Sequence, residues 1–345
     1  NTQGLFTEIN RAWAVVDNCL YLWDYEGRNK VQTYDKLDHL IVSVALVPVR
    51  RGVFIDKVSY VLVVATTVEI VLVAVAEEGY GVNDAVELFP TQFNVPTDGV
   101  IVLSVTGTAE GRIFMGGNDG VVYEIEYNND NTLRGMLGLP NKCRKVNKTS
   151  SQVVAWVVPQ FVREMVSPED PIHQLVVDHA RHLLYALTKK NNVYLYDLGD
   201  DGETLTFVHS LNVPQACTQV CQRRRQHDTS SRAQETYFRG LRAVDHHVIS
   251  LHCLPQTDIY RNRTDARPKD YCHMIALCAD GVRLFFTTLN VKAQGGARAA
   301  RARAEKAETL ALLHVGARGT EYGPIRSRPD VIPRKDKANR QVVDR

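Results

Sequence analysis

Residues 112–127 read Arg-Ile-Phe-Met-Gly-Gly-Asn-Asp-Gly-Val-Val-Tyr-Glu-Ile-Glu-Tyr, and the fold class follows from this stretch. Two β-branched or aromatic runs joined by a Gly-Asn-Asp-Gly turn predict an antiparallel hairpin, because Asn and Gly reach the positive φ that a tight turn requires. The same unit recurs at residues 60–75, 182–198 and 273–287. Residues 12–23 predict an opening strand pair, and residues 309–315 a further strand.

The repeated hairpins predict an all-β fold, a β-propeller, in which small sheets around an axis bury their strands without long exposed edges. The turns are spaced more widely than a compact blade of about 40 to 45 residues requires. Long inter-strand insertions are therefore predicted at residues 128–168, 215–240 and 291–308. We expect about five to six blades, with the ring incomplete in this chain. Residues 1–315 would form this partial propeller, and residues 316–345 a basic, Pro-containing loop or linker.

The composition favours a soluble protein of a reducing compartment. Of the residues, 44% are hydrophobic and 23% are charged, which is ordinary for a globular chain. Seven cysteines without regular spacing do not form a disulfide framework. The longest apolar run, residues 58–76, is rich in Val and interrupted by polar residues, so it predicts strands and not a membrane span. The chain starts at Asn1 without a signal-peptide pattern, and we expect it to be a fragment.

Metal binding is the first chemistry to consider. Soft and imidazole ligands are frequent in one part of the chain: His246, His247, His252, Cys253, Cys272, His273 and Cys278. None forms a Cys-x-x-Cys pair or a His pair at zinc-finger spacing. Strand alternation puts Cys272 and Cys278 on one face, where cysteine behaves as a small buried hydrophobe. We predict no metal site.

Catalytic and cofactor motifs are not found either. The Gly-rich turn at residues 116–120 precedes a strand, whereas a phosphate-binding loop precedes a helix, so it is interpreted as a hairpin turn. Several aspartates stand at predicted turns, where capping of backbone amides is their expected role: Asp24, Asp119, Asp178, Asp197 and Asp280. We predict no catalytic residue, no cofactor and no enzymatic activity.

Two basic runs, residues 223–225 and 297–306, could attract phosphates. No stacking aromatics are interleaved with them, so specific nucleic-acid binding is not predicted. Solvated insertions are the favoured interpretation, with nonspecific attraction to a membrane surface as the alternative.

One apolar segment contradicts the polarity expected of an insertion. Residues 153–166 contain the candidate membrane-contact residues Val154, Trp156, Val157, Val158, Phe161, Val162 and Arg163. As a helix, the segment would place most apolar side chains loosely on one side, with Trp156 at a lipid interface and Arg163 near headgroups. A buried strand or loop covering a propeller edge fits the same pattern equally well.

Eight stretches along the chain resemble, in order, a known family, the large inner-ring scaffold nucleoporins of the one-fifty-five and one-seventy type. They are residues 4–13, 23–26, 95–98, 111–120, 143–147, 170–172, 196–199 and 281–286. The sequence departs from the family pattern at Thr7 and Thr67, where the family usually has proline, and in residues 215–262 and 291–308.

The resemblance implies a seven-bladed propeller, of which this chain is the N-terminal part, in the inner ring of the nuclear pore complex. It also implies a scaffold function, peripheral contact with the nuclear envelope through the loop of residues 153–166, and other nucleoporins as partners. Those partners would be linker nucleoporins, large solenoid scaffolds and pore-membrane proteins. The alternatives are a generic cytosolic, coat-like interaction propeller and, less favoured, a propeller enzyme.

Overall fold

The computed structural model describes residues 2–25, 27, 31–78, 85–128, 142–148, 170–199, 202–227, 247–254, 272–289 and 309–316. Within these ranges the chain forms five antiparallel sheets of four strands, each in sequence order. A 15-residue helix and a short 3-10 turn, Thr7–Ile9, are the described helical elements.

Each sheet is one blade. Blade 1 contains β1 (Gln3–Phe6), β2 (Arg11–Val16), β3 (Cys19–Asp24) and β4 (Gln32–Tyr34). Blade 2 contains β5 (Ile41–Pro48), β6 (Val58–Thr66), β7 (Glu69–Glu78) and β8 (Ala85–Pro96). Blade 3 contains β9 (Val102–Gly107), β10 (Ile113–Gly117), β11 (Val122–Asn128) and β12 (Lys142–Asn147). Blade 4 contains β13 (Ile172–Asp178), β14 (Leu183–Thr188), β15 (Asn192–Asp197) and β16 (Thr206–Asn212), followed by helix α1 (Val213–His227). Blade 5 contains β17 (Val248–Cys253), β18 (Met274–Cys278), β19 (Arg283–Leu289) and β20 (Thr309–Gly316).

The predicted hairpins are confirmed as the two middle strands of the blades: β2–β3, β6–β7, β10–β11, β14–β15 and β18–β19. The predicted last strand is β20. These middle strands are covered on both faces by neighbouring blades, so they are the most apolar and the easiest to recognise.

Two of the predicted insertions contain regular structure, which corrects the prediction. Residues 142–147 of the first insertion form β12, the outer strand of blade 3. The second insertion begins inside helix α1, whose first turn receives a cap because the Asn212 side chain accepts a hydrogen bond from the Gln215 amide at 3.0 Å. Residues 291–308, the third insertion, lie outside the described ranges.

The hydrophobic core is divided into four clusters, each between two neighbouring blades. Phe6, Trp13 and Leu22 of blade 1, for example, pack in one cluster with Leu62 and Val73 of blade 2. Equivalent clusters lie between blades 2 and 3, 3 and 4, and 4 and 5. Face-to-face packing of successive sheets is the architecture of a propeller.

The first strands of blades 2 to 5 contact one another in order, β5 with β9, β9 with β13 and β13 with β17. The all-β propeller and the number of five to six blades are therefore confirmed, with five blades present. The ring is not closed within the part of the chain that the structure describes, and seven blades remain a prediction. The division at residues 315 and 316 also stays a prediction.

A buried ion pair joins blade 3 to blade 4. The Arg112 guanidinium donates to both Glu124 carboxylate oxygens, at 2.8 and 2.9 Å, with only 2% and 5% of these side chains exposed. It also donates to three blade 4 carbonyls, those of Leu198, Glu203 and Thr204, at 2.8 to 3.1 Å. One face of the guanidinium also lies over the Phe114 ring, with Cζ 4.8 Å from the ring centroid.

Blade 2 is joined to blade 3 by a tyrosine. The buried Tyr127 hydroxyl accepts from the Arg50 amide and donates to the Gly111 carbonyl, both at 3.0 Å. Gly111 has a φ of +86°, and a Cβ there would lie 2.7 Å from the Arg50 Cα. Glycine is required on both grounds, since an L side chain rarely adopts this φ and the close backbone approach leaves no room for one.

Candidate interaction face

The turns inside the middle hairpins all lie at one end of the blades. The first strand of each blade starts there too, because its first residues pair with the end of the second strand: Ile41 with Thr66, Ile172 with Thr188 and Val248 with Cys278. We name this end the hairpin face, defined by the turns at residues 17–18, 67–68, 117–120, 189–191 and 279–281.

Hydrogen bonds connect successive segments of the hairpin face. The Ile41 amide donates to the Asp17 carbonyl at 2.9 Å, and the Thr67 amide to the Leu40 carbonyl at 3.0 Å. Further round, the Thr97 amide donates to the Val68 carbonyl at 2.8 Å. Blade 4 continues the pattern, because the Asn191 side chain accepts from the Val248 amide of blade 5 at 3.0 Å. Hydrogen bonds thus join the face from blade 1 to the start of blade 3, and again from blade 4 to blade 5.

Four large apolar side chains are exposed along the hairpin face in blades 1 to 3. Val16 is 58% exposed, Leu40 53%, Val68 45% and Ile101 53%. Each stands beside a turn or at the start of a first strand, in the segments that the hydrogen bonds above connect. An isolated exposed apolar residue needs no explanation, but a connected series on one face is typical of an interaction site. Sequence analysis missed them because single apolar residues next to turns have no periodicity.

A carboxylate lies within three residues of each of these apolar side chains in the sequence. Asp17, Asp38 and Asp98 are exposed, and Glu69 is partly buried. Asp98 pairs with Lys145 at 2.6 Å. We name the four apolar residues together with Asp17, Asp38, Glu69 and Asp98 the acidic arc. The same face has a different charge in blade 4, where Lys189 and Lys190 are exposed.

The predicted membrane-contact residues, Val154, Trp156, Val157, Val158, Phe161, Val162 and Arg163, lie outside the described residues. The two residues that flank the segment are described, and both are held at the hairpin face. The Lys148 amide donates to the Val122 carbonyl at 3.1 Å. The Asp170 carboxylate accepts from the Lys190 amide and from the Asn192 side chain, both at 2.9 Å. The segment therefore leaves and re-enters the propeller on this face.

The predicted role of the turn aspartates is confirmed, since each side chain accepts a hydrogen bond from a nearby backbone amide. The distances are 3.0 Å for Asp24 to Gly27, 3.2 Å for Asp119 to Val121, 3.1 Å for Asp178 to Ala180, 2.8 Å for Asp197 to Gly199 and 3.1 Å for Asp280 to Val282. The Gly-rich turn at residues 116–120 joins β10 to β11 and is followed by a strand, as a hairpin turn requires.

The described part of the cysteine- and histidine-rich stretch belongs to blade 5. Cys278 is buried with Met274 and Ala276 on one face of β18, as alternation predicts. Cys272, predicted on the same face, precedes the strand and is only partly buried. No group of three potential metal ligands occurs among the described residues, which exclude His246. Burial raises the pKa of Cys253 and Cys278 to about 12, so both thiols are protonated at neutral pH.

His273 is a partly buried, neutral histidine. Its Nδ1 accepts a hydrogen bond from the Thr288 amide at 3.0 Å. Burial, and after it the charge of Arg181, lowers the pKa of the imidazole to about 4. It is therefore neutral near pH 7 and serves as an acceptor that ties the end of β18 to β19.

None of the described helices is both long and apolar enough to span a membrane.

Comparison with known proteins gives consistent matches. The Nucleoporin_N family model, described as Nup133 N terminal like, matches residues 1–325. The nuclear pore complex protein Nup154 of Drosophila melanogaster is 34% identical over 297 residues, covering 86% of this chain and 20% of that protein. Nucleoporin NUP170 of Chaetomium thermophilum is 36% identical over 210 residues, covering 59% of this chain and 14% of that protein.

A solved structure agrees with these sequence matches. The crystal structure of the Chaetomium thermophilum Nup170 NTD–Nup53 complex superimposes with a TM-score of 0.69 at 28% identity, covering 94% of this chain and 40% of that chain. The chain spans a fifth or less of the length of the two curated relatives.

Proposed function

The chain belongs to the Nucleoporin_N family of Nup133 N-terminal-like domains, and from this we propose that it is a structural part of the nuclear pore complex. Its place would be the inner ring, at the nuclear envelope, where the propeller helps to hold the scaffold through which nucleocytoplasmic transport occurs. The observation that carries the proposal is the match of one nucleoporin family model to residues 1–325, over the same residues that form the five blades.

A scaffold role suits the chemistry of the described residues. Arg112 and Glu124 neutralise each other inside the protein, the turn aspartates cap backbone amides, and the buried thiols are protonated at neutral pH. Groups used in this way hold a shape and do not carry out a reaction. We infer that the chain is not an enzyme and acts through its surfaces.

We propose other nucleoporins as partners. Nup53 forms a complex with the Nup170 N-terminal domain, to which this chain is similar over 94% of its length. A linker nucleoporin of that kind is the first candidate, followed by large solenoid scaffolds and pore-membrane proteins. No specific nucleic acid is proposed.

We also propose a peripheral contact with the nuclear envelope through residues 153–166. The segment is anchored at Lys148 and Asp170 on one face, so an apolar loop can reach a lipid surface without distortion of the blades. The test is flotation with small, highly curved liposomes. We expect the chain to float, and a Trp156→Asp, Phe161→Asp variant with an unchanged circular dichroism spectrum to remain at the bottom. Equal behaviour of the two proteins would contradict contact through this loop and leave the scaffold role intact.

The location in the cell tests the scaffold role. We expect the full-length protein, fluorescently tagged, to concentrate at the nuclear rim and to precipitate with nucleoporins. A generic coat-like propeller would give vesicular or diffuse fluorescence and precipitate with coat subunits, and that result would overturn the proposal.

A further inference from the structure

We propose that the acidic arc binds residues 317–345 of the same chain. The arc combines exposed apolar side chains, Val16, Leu40, Val68 and Ile101, with four carboxylates, of which Asp98 is already paired with Lys145. An apolar surface alone could contact lipid, but the carboxylates of blades 1 to 3 are repelled by an anionic membrane surface, unlike the blade 4 part of the face, where Lys189 and Lys190 are exposed. A basic polypeptide with interspersed apolar residues satisfies both properties of the arc. This proposal does not depend on the nuclear pore assignment.

The end of the last described strand leads into this region. Gly316 at the end of β20 pairs with Arg283, which lies two residues after the turn at residues 279–281. That turn belongs to the hairpin face. The chain therefore leaves blade 5 on the face that carries the acidic arc.

The composition of residues 317–345 is complementary to the arc. The 29 residues contain eight Lys or Arg and four Asp or Glu. Apolar side chains lie between the basic ones, among them Ile325, Val331 and Ile332. Prolines at 324, 329 and 333 prevent a continuous helix, so the segment suits an extended contact along the arc.

The segment is long enough to reach every part of the arc. Twenty-nine residues span at most roughly 95 Å when extended. A compact chain of this size has a diameter of roughly 50 Å. Because the segment is tethered, its effective concentration at the arc is on the order of millimolar, an advantage over a free basic peptide.

Zero-length cross-linking of the intact chain tests the proposal. A carbodiimide joins a carboxylate to a lysine amine only when the two are in contact. We expect intrachain cross-links from Lys335 or Lys337 to Asp17, Asp38 or Glu69, identified by mass spectrometry. They should disappear in 1 M salt, where the Debye length is about 3 Å.

Two sets of variants separate the charged and apolar contributions. Arg326→Gln, Arg328→Gln and Arg334→Gln should lower the cross-link yield roughly tenfold, since each exposed ion pair contributes up to about a factor of five. The matched control is Arg298→Gln, Arg301→Gln and Arg303→Gln, which should leave the yield unchanged.

Leu40→Ser with Val68→Ser should lower the yield at least about threefold through lost apolar contact. Ile55→Ser is the matched control, because Ile55 is 72% exposed in the loop between β5 and β6, at the opposite end of the blade.

Cross-links spread equally over other carboxylates, such as Asp56 on the opposite face, would overturn the proposal. Cross-linking a mixture of ¹⁵N-labelled and unlabelled chains shows whether the segment that binds the arc belongs to the same chain or to a second copy. Cross-links between a labelled and an unlabelled chain would show that a second copy occupies the arc, and this too would overturn it.

Discussion

Replacing Arg112 by Met removes one partner of a buried ion pair. Breaking such a pair typically costs 3–5 kcal/mol, about what the remaining buried charge loses in solvation. Here Lys148 still reaches Glu124 at 2.9 Å, which reduces the penalty, whereas the carbonyls of Leu198 and Thr204 lose a donor, which increases it. We expect the free energy of unfolding to fall by about 4 kcal/mol.

The assay is urea unfolding of the purified chain, followed by far-ultraviolet circular dichroism, with refolding from urea to establish reversibility. A double variant, Arg112→Met with Glu124→Leu, should be destabilised by only about 2 kcal/mol, because no uncompensated carboxylate remains. The matched surface control is Arg144→Met. Arg144 is 54% exposed and donates to Glu126 at 2.7 Å, so its loss should cost about 0–1 kcal/mol.

Two results would refute this reasoning. One is an Arg112→Met variant as stable as the Arg144→Met control. The other is a double variant whose destabilisation equals the sum of the two single changes, which would mean that the two side chains are not coupled.

Three further predictions concern the blades. Gly111→Ala should destabilise the chain by at least about 2 kcal/mol more than Gly52→Ala, because both glycines have positive φ but only Gly111 lies against backbone. Urea unfolding of the two variants measures the difference. Equal losses of stability would contradict the close approach at Gly111. The parent chain should lose stability as the pH falls from 6.5 towards 4, because the depressed pKa of His273 lets the unfolded state protonate first. In a His273→Gln variant, the free energy of unfolding should fall less steeply over this pH range. An equally steep fall in the variant would be contrary evidence. Cys253 and Cys278 should react with iodoacetamide much more slowly at pH 8 in the native chain than in urea, because burial raises the pKa of both thiols to about 12. Peptide mass spectrometry measures the two rates. Fast alkylation of the native chain would argue against the raised pKa values.

The sequence predicted the middle hairpins because their chemistry is local. At residues 116–120 the turn glycines and the flanking apolar runs are adjacent in the chain, so one window contains the whole signal. The outer strand β12 has no such signal. Its sequence is Lys-Cys-Arg-Lys-Val-Asn, and an outer strand has less apolar area to bury than a middle strand. Helix α1 could have been found from Asn212 at its cap and Pro214 in its first turn.

The packing of the blades and the interaction face depend on contacts that no local pattern contains. Between blades 3 and 4, Arg112 meets the Leu198 and Thr204 carbonyls across 86 and 92 residues. On the hairpin face, the segments of Asp17, Leu40 and Val68 are joined by backbone hydrogen bonds to segments more than 20 residues away in the chain. Sequence analysis could propose an apolar loop at residues 153–166, but the face from which that loop leaves required the positions of Lys148 and Asp170.

The fixed ends of that loop have a consequence for the evolution of the family. Because Lys148 and Asp170 are held by bonds to neighbouring turns, the blades do not depend on the length of the segment between them. Doubling the length of a flexible loop costs only about 0.6 kcal/mol in closure entropy. A longer connection between these two residues would therefore add little closure cost, so the length of the segment can vary among relatives while its two attachment points stay the same.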